Sequence, residues 1–293
     1  MTAALYNEHF GFRERPFSLS PDPGFLFWSK THARAFSVLE YGLFTRASLT
    51  VVTGEVGTGK TTLIQALLRD IDADVSVGLI SNVHGDRGDL LRWILNAFDV
   101  PVPEDADYVM LFQCFQDFVL KGYATGRHVL LIVDEAQNLR IDTLEELRLL
   151  TNINSGQDDL LQIIMVGQPE LREMLSQPEL RQLSQRVMAT YHLQPMTPET
   201  TLEYVTHRLK HAGGTGEEFT PEAVRLIHEE AEGIPRMINK LCDLALVYAS
   251  STKETQVDVG TIRELIEDGL ILKPTRPALL LTDPINSRGK AAE

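Results

Sequence analysis

Apolar positions in this chain fall into two patterns. Leu49-Thr50-Val51-Val52-Thr53, Val75 to Asn82, His128 to Val133 and Leu160 to Gly167 are short runs rich in Val, Ile and Leu, and the more polar Ala189 to Leu193 reads as a further strand. Such runs predict buried strands of a parallel sheet, since only a sheet covered on both faces hides consecutive side chains. Between them the period lengthens to that of helices, over about 31–45 (Ala35, Val38, Leu39, Gly42 and Leu43 on one face), 62–68, 87–98, 107–122 and 143–153. Thr143 and Glu146 have the spacing of a capping box for the last of these. Strand and helix in alternation predict an α/β fold with helices on both faces of the sheet. After Thr197-Pro198 the pattern is purely helical. Thr197 and Thr220, each followed by proline, place helix starts near 198 and 221, and two more helices follow near 235–250 and 258–268.

Residues 6–30 fit neither pattern. Phe10, Phe12, Phe17, Phe25, Phe27 and Trp28 alternate with Pro16, Pro21 and Pro23, which predicts an ordered, irregular lead-in packed on the core. From Lys273 onward three prolines, Gly289 and polar residues predict a tail that folding and turnover do not need.

The candidate chemistry begins where the first strand ends. Gly54-Glu55-Val56-Gly57-Thr58-Gly59-Lys60-Thr61 follows a strand and opens a helix, with Thr62 next in line. A glycine turn at a helix N-terminus presents backbone N–H groups and a helix dipole to one point, which suits a phosphate chain. Lys60 is then the counter-charge for β- and γ-phosphate oxygens, and the Thr61 hydroxyl a ligand for Mg²⁺. Asp134-Glu135 closes the strand 128–133, at the sheet edge where α/β folds bind ligands. Asp134 is expected in the Mg²⁺ shell and Glu135 as the base that orients and deprotonates a water. The lead-in aromatics offer an apolar wall for a nucleotide base, or plain packing.

Composition narrows the class. The 293 residues include 43% hydrophobic and 23% charged residues, as in a globular protein with a real core. A formal net charge of -14 disfavours sequence-independent DNA binding, though it leaves room for a local basic patch. Cys114 and Cys242 lie in separate helical patterns and read as buried free thiols, and the eight histidines lack metal-ligand spacing. The first ten residues have no basic-then-apolar layout of a leader, and no window approaches the roughly 18 apolar residues of a membrane span. The expected location is the cytoplasm, with any membrane attachment supplied by a partner.

With these motifs placed, the sequence resembles the AAA+ branch of P-loop ATPases, and within it the ExeA type, over about residues 5–270. Phe10-Gly11-Phe12, Pro16-Phe17, Pro21-Asp22-Pro23, the P-loop, Asp134 to Gln137, Gly167 to Leu171, Leu183 to Arg186 and Gly233 to Asn239 carry the resemblance. It implies a three-layer sandwich with a five-stranded parallel sheet, the 160s strand lying between the P-loop and Asp134 strands, and a small all-α lid. The corresponding parts are a lead-in at 1–47, an ATPase domain at 48–195, a lid at 196–270 and a flexible tail at 271–293. It also implies that Gln168 senses the γ-phosphate, that Asn82 restrains Glu135 when hydrolysis is off, and that Arg236 reaches the phosphates from the lid. Arg186, or else Arg181, is the arginine offered to a neighbouring subunit of a homo-oligomer. Secretion-type relatives commonly continue into a membrane span and an envelope-binding domain, and this chain stops at Glu293. The expectation is a Mg²⁺-dependent ATPase that remodels or licenses a protein partner of an export system at the inner membrane. Transposition ATPases of the TniB type look similar, so a DNA-bound recruiter of a recombinase is the alternative, and a nucleotide-dependent adaptor with little turnover is the third reading.

Overall fold

The computed structural model describes residues 6–19, 25–81, 89–155 and 158–270. A short helix α1 (Asn7–Phe10) and the longer α2 (Lys30–Phe44) precede β1 (Leu49–Gly54), which runs through the glycine turn into α3 (Lys60–Asp70). Then come β2 (Val75–Ser81), α4 (Asp89–Ala97), α5 (Tyr108–Ala124), β3 (His128–Asp134) and α6 (Ile141–Leu150). A two-stranded ribbon, β4 (Asn154–Ser155) with β5 (Asp158–Asp159), leads to β6 (Leu161–Gly167), α7 (Pro169–Leu175), α8 (Arg181–Ser184) and β7 (Val187–Leu193). Helices α9 (Pro198–His211), α10 (Pro221–Ala231), α11 (Pro235–Thr252) and α12 (Val259–Glu267) complete the described chain.

Five strands form one parallel sheet in the order β2-β3-β6-β1-β7. The expected insertion of the 160s strand between the P-loop and Asp134 strands is thus present. Every residue of β1 and β6 is buried, and every residue of β3 after the half-buried His128, as their unbroken apolar runs require. One face of the sheet packs on Leu90, Leu91, Phe115, Leu144 and Leu147 of α4, α5 and α6, and the other on Ala35, Leu39, Leu63 and Leu67 of α2 and α3. Val75 to Ser81 does not match the expected buried strand: β2 is an edge strand with only Gly78 and Ile80 buried. Gly78 and Ile80 share the better-covered face, whereas Val75, Val77 and Leu79 lie on a face that is only partly covered and leaves Leu79 exposed.

Two further expectations are corrected. The proposed capping box at Thr143 and Glu146 does not exist, because α6 begins at Ile141 and both side chains are buried within it. Here Asp142 Oδ1 accepts from the Thr143 N–H at 3.0 Å. The aromatic part of the lead-in, residues 6–19 and 25–27, packs chiefly on the helical region, whereas α2 of the same lead-in packs on the sheet. Tyr6, Phe12, Phe17 and Phe25 share a core with Leu209, Val224, Ile238 and Leu246, and Arg15 and the Tyr6 hydroxyl both bind the Asp243 carboxylate. The lid helices are amphipathic but few, and these aromatics close a core that four short helices leave open. Thr197 and Thr220 do cap α9 and α10, accepting from the N–H groups of Thr200 and Ala223. Cys242 is buried and Cys114 partly so, both as free thiols. Among the described residues no helix is long and apolar enough to cross a membrane.

Candidate nucleotide site

The turn Gly54 to Thr61 sits at the C-terminal edge of β1 and its shape depends on glycine. Gly57 and Gly59 take φ of 82° and 99°, in the left-handed region that side chains avoid. A Cβ on Gly57 would lie 2.6 Å from Arg236 Cβ, and one on Gly59 2.9 Å from His32 Nε2. Thr58 Oγ1 donates to the Glu55 carbonyl at 2.8 Å and braces the turn from inside. Lys60, buried at the first position of α3, donates from Nζ to the Gly54 and Glu55 carbonyls at 2.8 and 3.0 Å. Burial pulls its pKa down, while the carboxylates of Glu135, Asp134, Glu55 and Glu170 oppose that pull.

Two strands away, β3 delivers Asp134 to the same edge, where Thr61 Oγ1 donates to Asp134 Oδ2 at 3.2 Å. Burial raises the Asp134 pKa, and hydrogen bonds from the Glu135 N–H and Thr61 counter it. A hydroxyl and a carboxylate oxygen this close are a hard-donor pair. They fit Mg²⁺, which takes few protein ligands and keeps several waters. Glu135 itself has φ 54°, so the chain turns sharply after the strand. Its Oε2 accepts from Gln137 Nε2 at 2.6 Å and from Gln168 Nε2 at 3.3 Å. Gln137 Oε1 in turn accepts the Gln168 backbone N–H at 2.9 Å, which fixes the orientation of its amide.

A cavity of about 350 Å³ opens over this edge, lined by Val56, Gly57, Gly59, Lys60, Thr61, Thr62, Glu135 and Arg236 of the expected set. Arg236 comes from the start of α11, and its backbone N–H donates to Gly57 O at 3.2 Å, tying the helical region to the turn. The far end of the cavity is walled by Leu26, Phe27, Met196 and Tyr204. Its floor is polar, with Tyr204 bonded to Asn239 and Arg208 bonded to Tyr204 and to the Pro16 carbonyl. The lead-in aromatics therefore divide between packing and cavity wall.

Arg186 is not brought into this chain's own cavity. It bonds the Thr151 carbonyl and the Asn152 side chain at the end of α6, while Arg181 is exposed. Asn82 lies outside the described residues. Sequence reasoning missed Gln137, whose only local signal is its place two residues after Glu135. It also missed His32, which touches the turn across 26 positions, and the Tyr204, Arg208 and Asn239 floor.

A parallel sheet whose inner strand runs through a glycine turn into a helix, with paired carboxylates two strands away and a helical cap above, defines a P-loop module of the AAA type. The family model described as an AAA domain matches residues 45–175. The chain is 42% identical over 258 residues to general secretion pathway protein A of Aeromonas hydrophila, covering 88% of this chain and 47% of that protein. Among solved structures, it is similar to the ORC2 protein of Aeropyrum pernix in ADPNP-ADP complexes, with TM-score 0.63, 17% identity and coverage of 88% of this chain and 72% of that one. It is also similar to Drosophila ORC bound to DNA, with TM-score 0.68, 16% identity and coverage of 92% and 67%. At those identities the likeness is one of fold. The chain belongs to the AAA+ P-loop family, in its ExeA-like branch, and spans about half the length of the curated relative it matches.

Proposed function

We propose that this chain binds ATP with Mg²⁺ at the C-terminal edge of the sheet and hydrolyses it, using the cycle to change its lid or its assembly and so remodel a protein partner. The observation that supports this reading is the convergence of Lys60, the Thr61 and Asp134 pair, and Glu135 held by Gln137 and Gln168, beneath Arg236. Thr61 and Asp134 would hold Mg²⁺. When bound, the ion neutralises charge on phosphate oxygens. Lys60 exchanges its bonds to Gly54 and Glu55 for phosphate oxygens, which binds the ground state. Glu135 orients a water and takes its proton as the new P–O bond forms and the bond to the ADP oxygen breaks. Gln168 and Gln137 hold that carboxylate in place, and Arg236 closes the lid over the phosphates. Arg186 serves a neighbouring subunit, a reading supported by its absence from its own chain's cavity lining.

A secretion pathway, as in the relative's name, is the first setting to test, and in our reading the partner is a protein at the inner membrane with the ATPase on its cytoplasmic side. The net charge of -14 weighs against DNA as the primary partner. Lys60→Ala is expected to abolish ATP binding, and Glu135→Gln to keep binding while blocking turnover. Equal loss of binding in both variants would overturn Glu135 as the base. ATP-dependent, salt-sensitive binding of duplex DNA by the wild type would favour the transposition-type reading.

A further inference from the structure

His32 has no part in the chemistry above, yet it is buried and touches the phosphate turn. It lies in the first turn of α2, capped by Ser29, whose Oγ accepts the His32 N–H at 3.2 Å. Across the cavity edge its Nε2 is 2.9 Å from the Thr58 carbonyl, and its Nδ1 is 2.7 Å from Ser29 Oγ. A carbonyl only accepts, so Nε2 carries the hydrogen. In the neutral ring Nδ1 is then left to accept from the serine hydroxyl.

We infer that His32 is a positioning residue for the phosphate turn: by holding the Thr58 carbonyl it sets the peptide plane between Thr58 and Gly59, and so aims the Gly59 N–H at a nucleotide phosphate. The reason is geometric. A trans peptide is planar, with C=O and N–H on opposite sides, so fixing one direction fixes the other. Gly59 cannot restrain itself, having no side chain and a φ of 99°. The ring crowds it instead, with Nε2 only 2.9 Å from the place a Cβ on Gly59 would take. Burial lowers the imidazole pKa, against the opposing pull of the Thr58 carbonyl, and so favours the neutral ring.

The relay reaches further than the turn. Ser29 N–H donates to Phe27 O at 3.0 Å, and the Phe27 ring meets Tyr204 and His207 of α9 at 5.7 and 5.4 Å between centroids. Lid helix, lead-in and phosphate turn are thereby joined through one histidine.

The inference rests on the nucleotide reading, and its test separates the two. ATP and ADP affinities, kcat and thermal melts would be measured for the wild type, Lys60→Ala, His32→Leu and His32→Gln. Gln Nε2 offers a donor at nearly the reach of His Nε2, whereas Leu fills the space without one. His32→Leu is expected to weaken binding of both nucleotides about tenfold or more, with kcat at saturation changed by less than about threefold, and His32→Gln to regain most of the affinity. Nitrogen NMR of the labelled imidazole should show the tautomer protonated at Nε2. A folded His32→Leu that binds as tightly as the wild type, or a ring protonated at Nδ1, overturns the inference and leaves the nucleotide reading intact. Failure of the wild type to bind more tightly than Lys60→Ala would remove the nucleotide reading and the inference with it.

Discussion

Glu135 is one carboxylate among many, and its neighbours single it out. Two side-chain amides, from Gln137 and Gln168, converge on one of its oxygens, and the backbone N–H of Gln168 locks the first of them. Removing the Gln137 amide frees the carboxylate without touching the phosphate turn. Gln137→Ala is expected to lower kcat by roughly tenfold to a hundredfold, the cost of one hydrogen bond to a charged group, while nucleotide affinity holds. Steady-state kinetics beside a binding titration checks it, and a loss in affinity alone would refute it. His32 supplies a pH prediction. Burial lowers its pKa from 6.5, so the unfolded chain binds the proton more readily. Its contribution is therefore complete above pH 6.5 and is lost as the pH falls toward its folded value. His207 and His228 are shifted in the same direction, so the slope is shared. His32→Gln should melt with a shallower pH dependence below pH 6.5 than the wild type, and identical slopes would contradict this.

Elements were legible in the sequence wherever local spacing decides them. The apolar runs of β1, β3 and β6, the threonine-proline starts of α9 and α10, and the turn between β1 and α3 follow from neighbours a few residues apart. Contacts across the fold were not. The amide of Gln137 becomes functional only when β6 brings Gln168 beside it, and His32 only when α2 folds back on the turn. Thr143 and Glu146 had capping spacing, but the apolar stripe of Leu144, Leu147 and Leu150 pulled the helix start back to Ile141 and buried both. The lead-in read only as packed on the core because its aromatics carry no address. The address is Asp243, 228 positions from Arg15. Arg15→Ala should loosen this segment while sparing the sheet. Amides of residues 6–17 and of α11 near Asp243 should exchange faster, and the melting temperature should fall by a few degrees, as for loss of one hydrogen-bonded ion pair of about 1 to 2 kcal/mol. Unchanged exchange there would show that the aromatics alone hold the lead-in.

At the scale of the whole molecule, one chain supplies every part of the proposed site except an arginine from outside. Arg186 spends its guanidinium on the end of α6 and does not line the cavity that holds its own Lys60. If it completes a neighbour's site, specific activity should rise with protein concentration, and Arg186→Ala should lose turnover while keeping ATP affinity. An arginine given in trans is worth roughly 10³ to 10⁵ in rate where it has been isolated. Mixing Arg186→Ala with Glu135→Gln should restore part of the activity, because some interfaces then pair an intact base with an intact arginine. Turnover independent of concentration, with no rescue on mixing, would leave a self-contained monomer.

The packing of the lead-in against the last helices also constrains the order of manufacture. A ribosome releases Tyr6, Phe12, Phe17 and Phe25 long before it reaches the leucines of α11 that cover them. The sheet can close while these rings wait, but the helical cap can set only once both ends of the chain have been delivered. Its core is built from segments separated by the entire ATPase module, so its formation carries the loop-closure cost of that separation. Until then, the nascent molecule displays a cluster of aromatics for which a chaperone, or another unfinished copy, is the nearest available cover.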